Sequence, residues 1–306
     1  MRRLVVLLGT LALLLVGLGA CGDDGDDENT GKVTVTGDFG TQPKVTYDGE
    51  VNRVSTATEV LTEGNGAVVE DGDDAMVHLY IGNGYTGEQA LSTWDQKTPQ
   101  VVTLNKDTLP ALTKAISGQK AGSRVEVLST PKDAFGESGN PDLYIGNGDS
   151  VVFVVDILDT VLGAPEGTEK KAPASAPTVV EKDGKVTGLD FSKAGKPSKK
   201  LKVITLTEGD GAPIEKKSYA VVRYLGQTYD GKKPFDESFS SETLEARQVG
   251  VGGYIKGWDK GLIGVKAGSR VMLLVPPSEG YGKAGQGKKI QGDDTLAFVI
   301  DVLAVN

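Results

Sequence analysis

The segment KAGSRVMLLVPPSEGYG, residues 266–282, has a near copy in KAGSRVEVLSTPKDAFG, residues 120–136. The two segments are separated by 266 − 120 = 146 residues. A second pair, DTLAFVIDVL at 294–303 and DSVVFVVDIL at 149–158, is separated by 294 − 149 = 145 residues. A nearly constant separation of this size indicates a duplicated domain and excludes a short-period solenoid.

The length of 306 residues also suits two cores of ordinary size. The duplication predicts one domain at 32–163 and a second at 178–306. Residues 164–177 between them are rich in Pro, Ala and charged residues, which is typical of an extended, semi-rigid linker. Two further segments, 1–20 and 21–31, precede the first domain.

Each copy is predicted to contain mainly strands and one short helix. Residues 218–226, SYAVVRYLG, alternate between two faces as strand residues do. Trp258, Leu262 and Val265 follow the i, i+4, i+7 spacing of a helical stripe that can cover a sheet. The segments that lead into the copies suggest extra N-terminal strands. Sheets that each carry one short helix predict two α+β domains.

The charge and the histidine count exclude several kinds of function. The net charge is −9 and there is no basic stripe, so nucleic acid is not an expected partner. The single histidine, His78, cannot form a histidine-rich metal site or support a Ser-His-Asp triad. We expect it to be a strand residue that faces solvent.

The N-terminus has the features of an export signal. MRR is followed by an apolar run, a small-residue segment and Cys21, which is the only cysteine. The apolar run is at the lower length limit for a membrane span, so a retained anchor helix is the alternative. The stretch LGAC resembles the lipobox of bacterial lipoproteins, which implies a signal peptide at 1–20 and lipidation of Cys21. Two or more acyl chains would hold the protein on the extracytoplasmic face of the cell membrane, with acidic residues 21–31 as a flexible tether.

Three segments of the second copy resemble FKBP-type peptidyl-prolyl cis-trans isomerases. They are VVRYLGQTYDGKKPFDESF at 221–239, GYIKGWDKGLIGVKAGSRVMLLVPPSEGYG at 253–282 and DTLAFVIDVL at 294–303. The resemblance extends from about 203 to the C-terminus and, more faintly, over 60–162 of the first copy. It implies two tandem FKBP-like domains, each an antiparallel sheet wrapped on one short helix. A lipoprotein that carries two such domains resembles arrangements known in actinobacteria.

The resemblance implies an enzyme that isomerises X-Pro bonds without a cofactor or a metal. Its expected partners are unfolded or partly folded exported polypeptides, whose folding it would assist. The alternative function is a chaperone-like protein that binds apolar-Pro segments without accelerating their isomerisation.

The same resemblance implies an aromatic substrate pocket in the second copy. Trp258 would form its floor, and Tyr224, Phe235 and Phe298 its walls. The family usually has one more aromatic wall residue near Glu245, where this chain has none. That difference favours a pocket open on one side and is the observation that supports the chaperone-like alternative.

The resemblance also implies the polar groups of the pocket. The backbone N–H of Ile255 would bind the substrate carbonyl, and the hydroxyl of Tyr281 would be a second donor. Asp236 would lie near the twisting amide. Tyr254 beside Ile255, and Ile290 in a late loop, would complete the substrate contacts.

Most of these positions differ in the first copy, which is predicted to have little or no isomerase activity. Only Phe298 has an identical counterpart, Phe153. The hydroxyl of Tyr281 is lost because the corresponding residue is Phe135. The remaining predicted replacements are Leu79 for Tyr224, Leu91 for Phe235, Ser92 for Asp236, Leu109 for Ile255 and Leu112 for Trp258.

Overall fold

The structure is a computed structural model that describes residues 31–241 and 243–306. The predicted signal peptide at 1–20, the lipidation site Cys21 and nearly all of the predicted tether lie outside the described residues. Within the described ranges no helix combines the length and the apolar character needed to cross a membrane.

The first copy forms an antiparallel sheet with one helix. Its elements are β1 Lys32–Thr36, β2 Lys44–Asp48, β3 Ala57–Thr62, β4 Asp74–Asn83, β5 Gln89–Ser92, β6 Gln100–Thr103, α1 Pro110–Ile116, β7 Arg124–Ser129 and β8 Val151–Val161. The order of the strands in the sheet is β3-β7-β8-β4-β5, and β6 pairs with the first half of β4 while β5 pairs with the second half. A separate two-stranded hairpin, β1–β2, precedes this sheet.

The second copy repeats this arrangement and adds one strand. Its elements are β9 Thr168–Glu169, β10 Thr178–Lys182, β11 Lys185–Asp190, β12 Lys202–Glu208, β13 Tyr219–Thr228, β14 Pro234–Glu237, β15 Ala246–Gln248, α2 Lys256–Gly261, β16 Arg270–Val275 and β17 Leu296–Val305. The order of the strands in the sheet is β14-β13-β17-β16-β12-β9, and β15 pairs with β13. The hairpin β10–β11 corresponds to β1–β2.

The predicted fold class is therefore confirmed: each copy is an antiparallel sheet with one short helix on one face. The helix α2 is shorter than the Trp258–Val265 stripe suggests. It ends at Gly261, and Gly264 has a φ of 85°, a left-handed conformation that terminates helices. Leu262 is still buried in the core, but Val265 lies beyond the helix.

The two hairpins lie against the opposite face of their sheets and confirm the predicted extra strands. In the first domain, the turn of β1–β2 places the carbonyls of Gly37 and Thr41 against the guanidinium of Arg124. Arg124 also donates two hydrogen bonds to Asp156, and both side chains of this ion pair are almost completely buried. The hairpin thus covers a face of the sheet that would otherwise be in contact with water.

This second covered face explains why the prediction for His78 is wrong. His78 is 8% exposed, and its ring stacks on Trp94 with centroids 4.8 Å apart. Its Nδ1 lies 2.8 Å from the hydroxyl oxygen of Thr93. Burial lowers the pKa of His78, which favours a neutral ring in this environment.

The segment between the domains is part of the second domain's sheet. Strand β9 pairs with β12 at the outer edge of that sheet. Just before β9, Glu166 N–H donates to the Gly268 carbonyl at 2.9 Å. Just after it, Lys170 N–H donates to the Leu206 carbonyl at 2.8 Å. The linker predicted at 164–177 is extended, but part of it is docked as an edge strand.

The two domains also contact each other through an apolar cluster. Met76 and Val161 of the first domain pack with Val221, Leu303 and Ala304 of the second. A backbone hydrogen bond of 3.0 Å joins the N–H of Leu162 to the carbonyl of Leu303. The last strands of the two sheets, β8 and β17, therefore meet at the domain junction.

Candidate active site

The second domain contains a cavity of about 620 Å³ on the helix side of its sheet. We call this cavity the substrate pocket. It is lined by eight of the nine substrate-contacting residues that the sequence predicts for the second copy: Tyr224, Phe235, Asp236, Tyr254, Ile255, Trp258, Tyr281 and Phe298. The ninth, Ile290, is 5% exposed and packs in the core rather than on the pocket wall.

Five aromatic rings pack against one another at the base of the substrate pocket. Trp258 is 4% exposed and meets Tyr224 and Phe298 edge-to-face, with centroids 5.2 and 5.3 Å apart. Tyr254 stacks on Trp258 at 5.0 Å, and Phe235 meets Phe298 edge-to-face at 5.6 Å. These separations are in the range in which aromatic pairs attract. The result is an apolar base with little freedom to move.

Two glycines make this packing possible. A Cβ at Gly257 would lie 2.5 Å from a methyl carbon of Val275, so only glycine lets α2 approach β16 this closely. A Cβ at Gly226 would lie 2.6 Å from the ring of Phe235 and 2.7 Å from that of Phe298. Gly226 therefore provides the space in which both rings reach the pocket.

A carboxylate is held at one side of the pocket. Asp236 Oδ2 accepts a hydrogen bond of 2.7 Å from the hydroxyl of Tyr224, and Oδ1 accepts one of 3.0 Å from the Glu237 N–H. Burial, together with Asp236, raises the pKa of Tyr224, so the phenol keeps its proton and remains the donor. Because both oxygens are engaged, the orientation of the Asp236 side chain is defined.

Besides the buried indole N–H of Trp258, two hydrogen-bond donors on the pocket wall have no acceptor among the described residues. Ile255 precedes α2, and its carbonyl accepts from the N–H groups of Trp258 and Asp259 at 3.0 and 3.2 Å. The N–H of Ile255 itself donates to no other group in the described part of the chain. The Tyr281 hydroxyl likewise has no protein partner among the described residues. Both groups are available to a ligand in the pocket.

The side of the pocket near Glu245 is polar. Ser241, Thr243 and Glu245 line it together with Arg247, whose guanidinium donates to Glu245 at 2.6 Å. The sequence identifies the missing aromatic at Glu245 but not the ion pair, since the pairing of β15 with β13 is needed to place Arg247 there. On this side the substrate pocket is bounded by charged groups, not by a ring.

Comparison with known proteins gives the same assignment for both domains. The model of the family described as FKBP-type peptidyl-prolyl cis-trans isomerase matches residues 66–158 and 211–303. The chain belongs to this family. It is therefore a peptidyl-prolyl cis-trans isomerase that contains two tandem FKBP domains and has proline-containing polypeptides as its substrates, and the FKBP resemblance seen in the sequence is confirmed.

Curated relatives each match a single-domain length of this chain. "FK506-binding protein 2" of Dictyostelium discoideum is 37% identical over 39% of this chain and 90% of its own length. "FK506-binding protein" of Streptomyces anulatus is 37% identical over 38% of this chain and 94% of its own. "Peptidyl-prolyl cis-trans isomerase FKBP2" of Mus musculus is 31% identical over 39% of this chain and 86% of its own.

The strand register corrects the predicted correspondence between the FKBP domains. Asp236 pairs with Gly226 in the second domain, and Leu91 pairs with Ile81 in the first. Gly226 and Ile81 are equivalent because they are 226 − 81 = 145 residues apart, the separation of their flanking repeats. Leu91, not Ser92, therefore occupies the position of Asp236.

The residue at the position of Phe235 is consequently Ala90, not Leu91. The prediction is off by one because it aligns a large apolar residue with another, whereas backbone pairing keeps the 145-residue separation through this strand. The first FKBP domain thus lacks both the ring and the carboxylate.

The counterparts of the pocket residues in the first FKBP domain form an apolar cluster. Leu79 is buried, and the others pack against the same core with partial exposure. None of these side chains carries a hydroxyl, a carboxylate or an indole. The counterparts are Leu79, Leu91, Leu109, Leu112 and Phe135.

Proposed function

We propose that the isomerase activity resides in the second FKBP domain and that the first has little or none. The observation that carries this proposal is the substrate pocket: an aromatic base, an oriented carboxylate and two donors that find no acceptor in the described part of the chain meet in one cavity. The equivalent positions of the first domain supply four leucines, an alanine and two phenylalanines.

The reaction needs no bond to an outside group. Rotation about an X-Pro bond breaks amide resonance and crosses a barrier of about 18–20 kcal/mol. A protein lowers that barrier by binding the twisted amide better than either planar form. The planar amide is the more charge-separated form, so removing water from around it favours the twisted one. An apolar pocket with a few fixed donors meets this requirement.

Different pocket residues bind different parts of the substrate. Trp258, with Phe298 beside it, offers an apolar surface for the proline ring. The N–H of Ile255 is the donor for the carbonyl of the substrate chain. The hydroxyl of Tyr281 is a second donor, and Asp236 lies where its negative charge faces the twisting amide.

The full chain and two matched variants test the assignment to the second domain. We expect Trp258→Leu to lower kcat/KM for a short X-Pro peptide by about 30- to 160-fold, since an aromatic floor is worth about 2–3 kcal/mol. Leu112→Met changes the equivalent residue of the first domain and serves as the control. A folded Trp258→Leu protein with unchanged cis-to-trans relaxation rates would contradict the proposal.

We further propose that the enzyme assists the folding of exported proteins from the extracytoplasmic face of the membrane. The support is the sequence before the first domain: basic residues, an apolar run and LGAC ending at the only cysteine, Cys21. Labelling with a radioactive fatty acid in a bacterial host tests this. We expect label and membrane association in the wild type and neither in Cys21→Ser; a wild type without label would overturn the anchor.

A further inference from the structure

A second cavity lies where the two FKBP domains meet. Its volume is about 370 Å³, and we call it the junction cavity. Lys97 and Thr98 of the first domain line one side. Tyr219, Gln248 and Val251 of the second domain line the other. None of these five residues belongs to the substrate pocket.

The junction cavity adjoins the substrate pocket. Both are lined by the same four residues, Glu245, Arg247, Gly253 and Tyr254. Tyr254 stacks on Trp258 at the base of the substrate pocket, so one ring forms a wall of both spaces. A polypeptide that leaves the pocket past Tyr254 enters the junction cavity and meets the first domain.

The first-domain side of this cavity is held in place. The Tyr219 hydroxyl donates a hydrogen bond to the Lys97 carbonyl across the junction. The N–H of Lys97 donates to the Trp94 carbonyl at 3.0 Å, and the N–H of Thr98 donates to the Thr93 carbonyl at 3.1 Å. Lys97 has a φ of 54°, a conformation that non-glycine residues adopt only where their surroundings impose it. The turn that lines the cavity at Lys97 therefore has a fixed backbone.

The charge of the junction cavity is opposite to that of the whole chain. The net charge of the protein is −9, whereas the charged side chains that line this cavity are Lys97, Arg247 and Glu245. Arg247 is paired with Glu245, with the two side chains 63% and 61% exposed. Lys97 is exposed and forms no ion pair among the residues that the structure describes. Its ammonium group is available to a carboxylate in the cavity.

We infer that the junction cavity binds the stretch of substrate polypeptide that flanks the X-Pro bond, and that Lys97 favours acidic side chains in that stretch. This inference rests on the proposed location of the active site in the second domain. The first domain then contributes to catalysis as part of the substrate-binding surface.

Two peptides measure this preference in the full-length chain. Both contain the same central X-Pro unit; one carries two glutamates on each flank and the other two lysines. The readout is the ratio of their kcat/KM values. We expect Lys97→Glu to lower the ratio of acidic to basic peptide by about three- to tenfold, because an attraction between exposed charges becomes a repulsion. The difference should shrink as salt is added.

The matched control is Lys106→Glu. Lys106 is in the same domain, its side chain is 88% exposed, and the substitution changes the net charge by the same amount. We expect the ratio to be unchanged in this variant. An unchanged ratio in Lys97→Glu would overturn the inference, and so would an equal change in both variants, which would indicate only the general field of the protein.

A third peptide of four residues separates this inference from the proposed function. Its rate depends on the substrate pocket alone. If it is accelerated by the wild type and insensitive to Trp258→Leu, the proposed active site is wrong. Direct titration of the two flanked peptides by fluorescence still reports the junction cavity in that case, and equal affinities in wild type and Lys97→Glu would refute its role.

Discussion

The two FKBP domains have the same backbone arrangement and differ in the side chains at equivalent positions. In the second domain, the N–H of Tyr224 donates to the hydroxyl of Ser238 at 2.9 Å. In the first, the N–H of Leu79 donates to the hydroxyl of Thr93 at the same distance. The bond that fixes the strand is retained, while the side chain that faces the cavity in the second domain is exchanged. Fold and chemistry therefore depend on different residues of the same strand.

On the face of each sheet opposite the helix, the first domain has the more demanding polar groups. The ion pair of Arg124 with Asp156 is 1% and 0% exposed, whereas that of Arg270 with Asp301 is 17% and 3% exposed. At the position of Met272, which is fully buried, the first domain has Glu126. The domain without the substrate pocket thus has the more deeply buried charges. Three predictions test this contrast.

The largest expected effect is on stability. Arg124→Met leaves the buried carboxylate of Asp156 without its cation, which should lower the free energy of unfolding of the first domain by about 3–5 kcal/mol. Arg270→Met should cost less, about 1–3 kcal/mol, since water reaches this pair more easily. Urea unfolding followed by fluorescence of Trp94, in a Trp258→Phe background, measures the first domain. Trp258 in a Trp94→Phe background measures the second, and equal losses would contradict the contrast.

The second effect is a dependence of stability on pH. Burial, and secondarily Glu59, raises the pKa of Glu126 to about 7 from an ordinary value near 4.5. Between these two values the folded chain holds a proton that the unfolded chain has lost. The stability of the first domain should therefore fall as pH rises from 4.5 to 7 and then level off.

The substitution Glu126→Gln should remove this dependence of stability on pH. At pH 8 the variant should be more stable than the wild type by about 1–3 kcal/mol, with little difference at pH 4. Urea unfolding over this pH range, followed by Trp94 fluorescence, measures both proteins. The control is Met272→Leu in the second domain, which should leave the slope unchanged. A wild-type slope that persists in Glu126→Gln would show that another group is responsible.

The smallest effect concerns a single hydroxyl. Tyr281→Phe should lower kcat/KM for a short X-Pro peptide by about five- to tenfold, the value of one hydrogen bond of about 1–1.5 kcal/mol. The reciprocal change, Phe135→Tyr, adds a hydroxyl to the first domain, where Leu91 and Leu112 replace the carboxylate and the indole. It should give no gain. Activity restored by Phe135→Tyr in a Trp258→Leu background would show that the two sites are equivalent.

The sequence predicts the fold and most of the residues that line the pocket because the motifs that carry these residues are in strands and a helix. Tyr224 and Phe298 are on paired strands, and Trp258 is in the helix that packs on them, so their relative positions follow from the family order. Ile290 is different. It belongs to a loop that crosses the pocket side, where neither strand register nor helical period determines whether a side chain faces the cavity or the core.

The other errors have a common physical cause, which is contact with parts of the chain distant in sequence. His78 is on the polar side of its strand, and only the position of Trp94 shows that this side is buried. The edge strand at Thr168–Glu169 has no apolar alternation, because it is held by backbone hydrogen bonds at the edge of the sheet. Composition alone therefore gives it the features of a linker.

That edge strand has a consequence for the history of the duplication. A chain cut before residue 178 would lose β9, and the end of β12 at residues 206–208 would lose its backbone partners and lengthen the open sheet edge to which strands of other molecules can add. It would also lose Met76 and Val161 from the apolar cluster at the junction. The second domain is thus no longer a detachable module. A first copy whose pocket residues have been replaced can still be kept by selection, because its removal would expose an apolar patch of its neighbour.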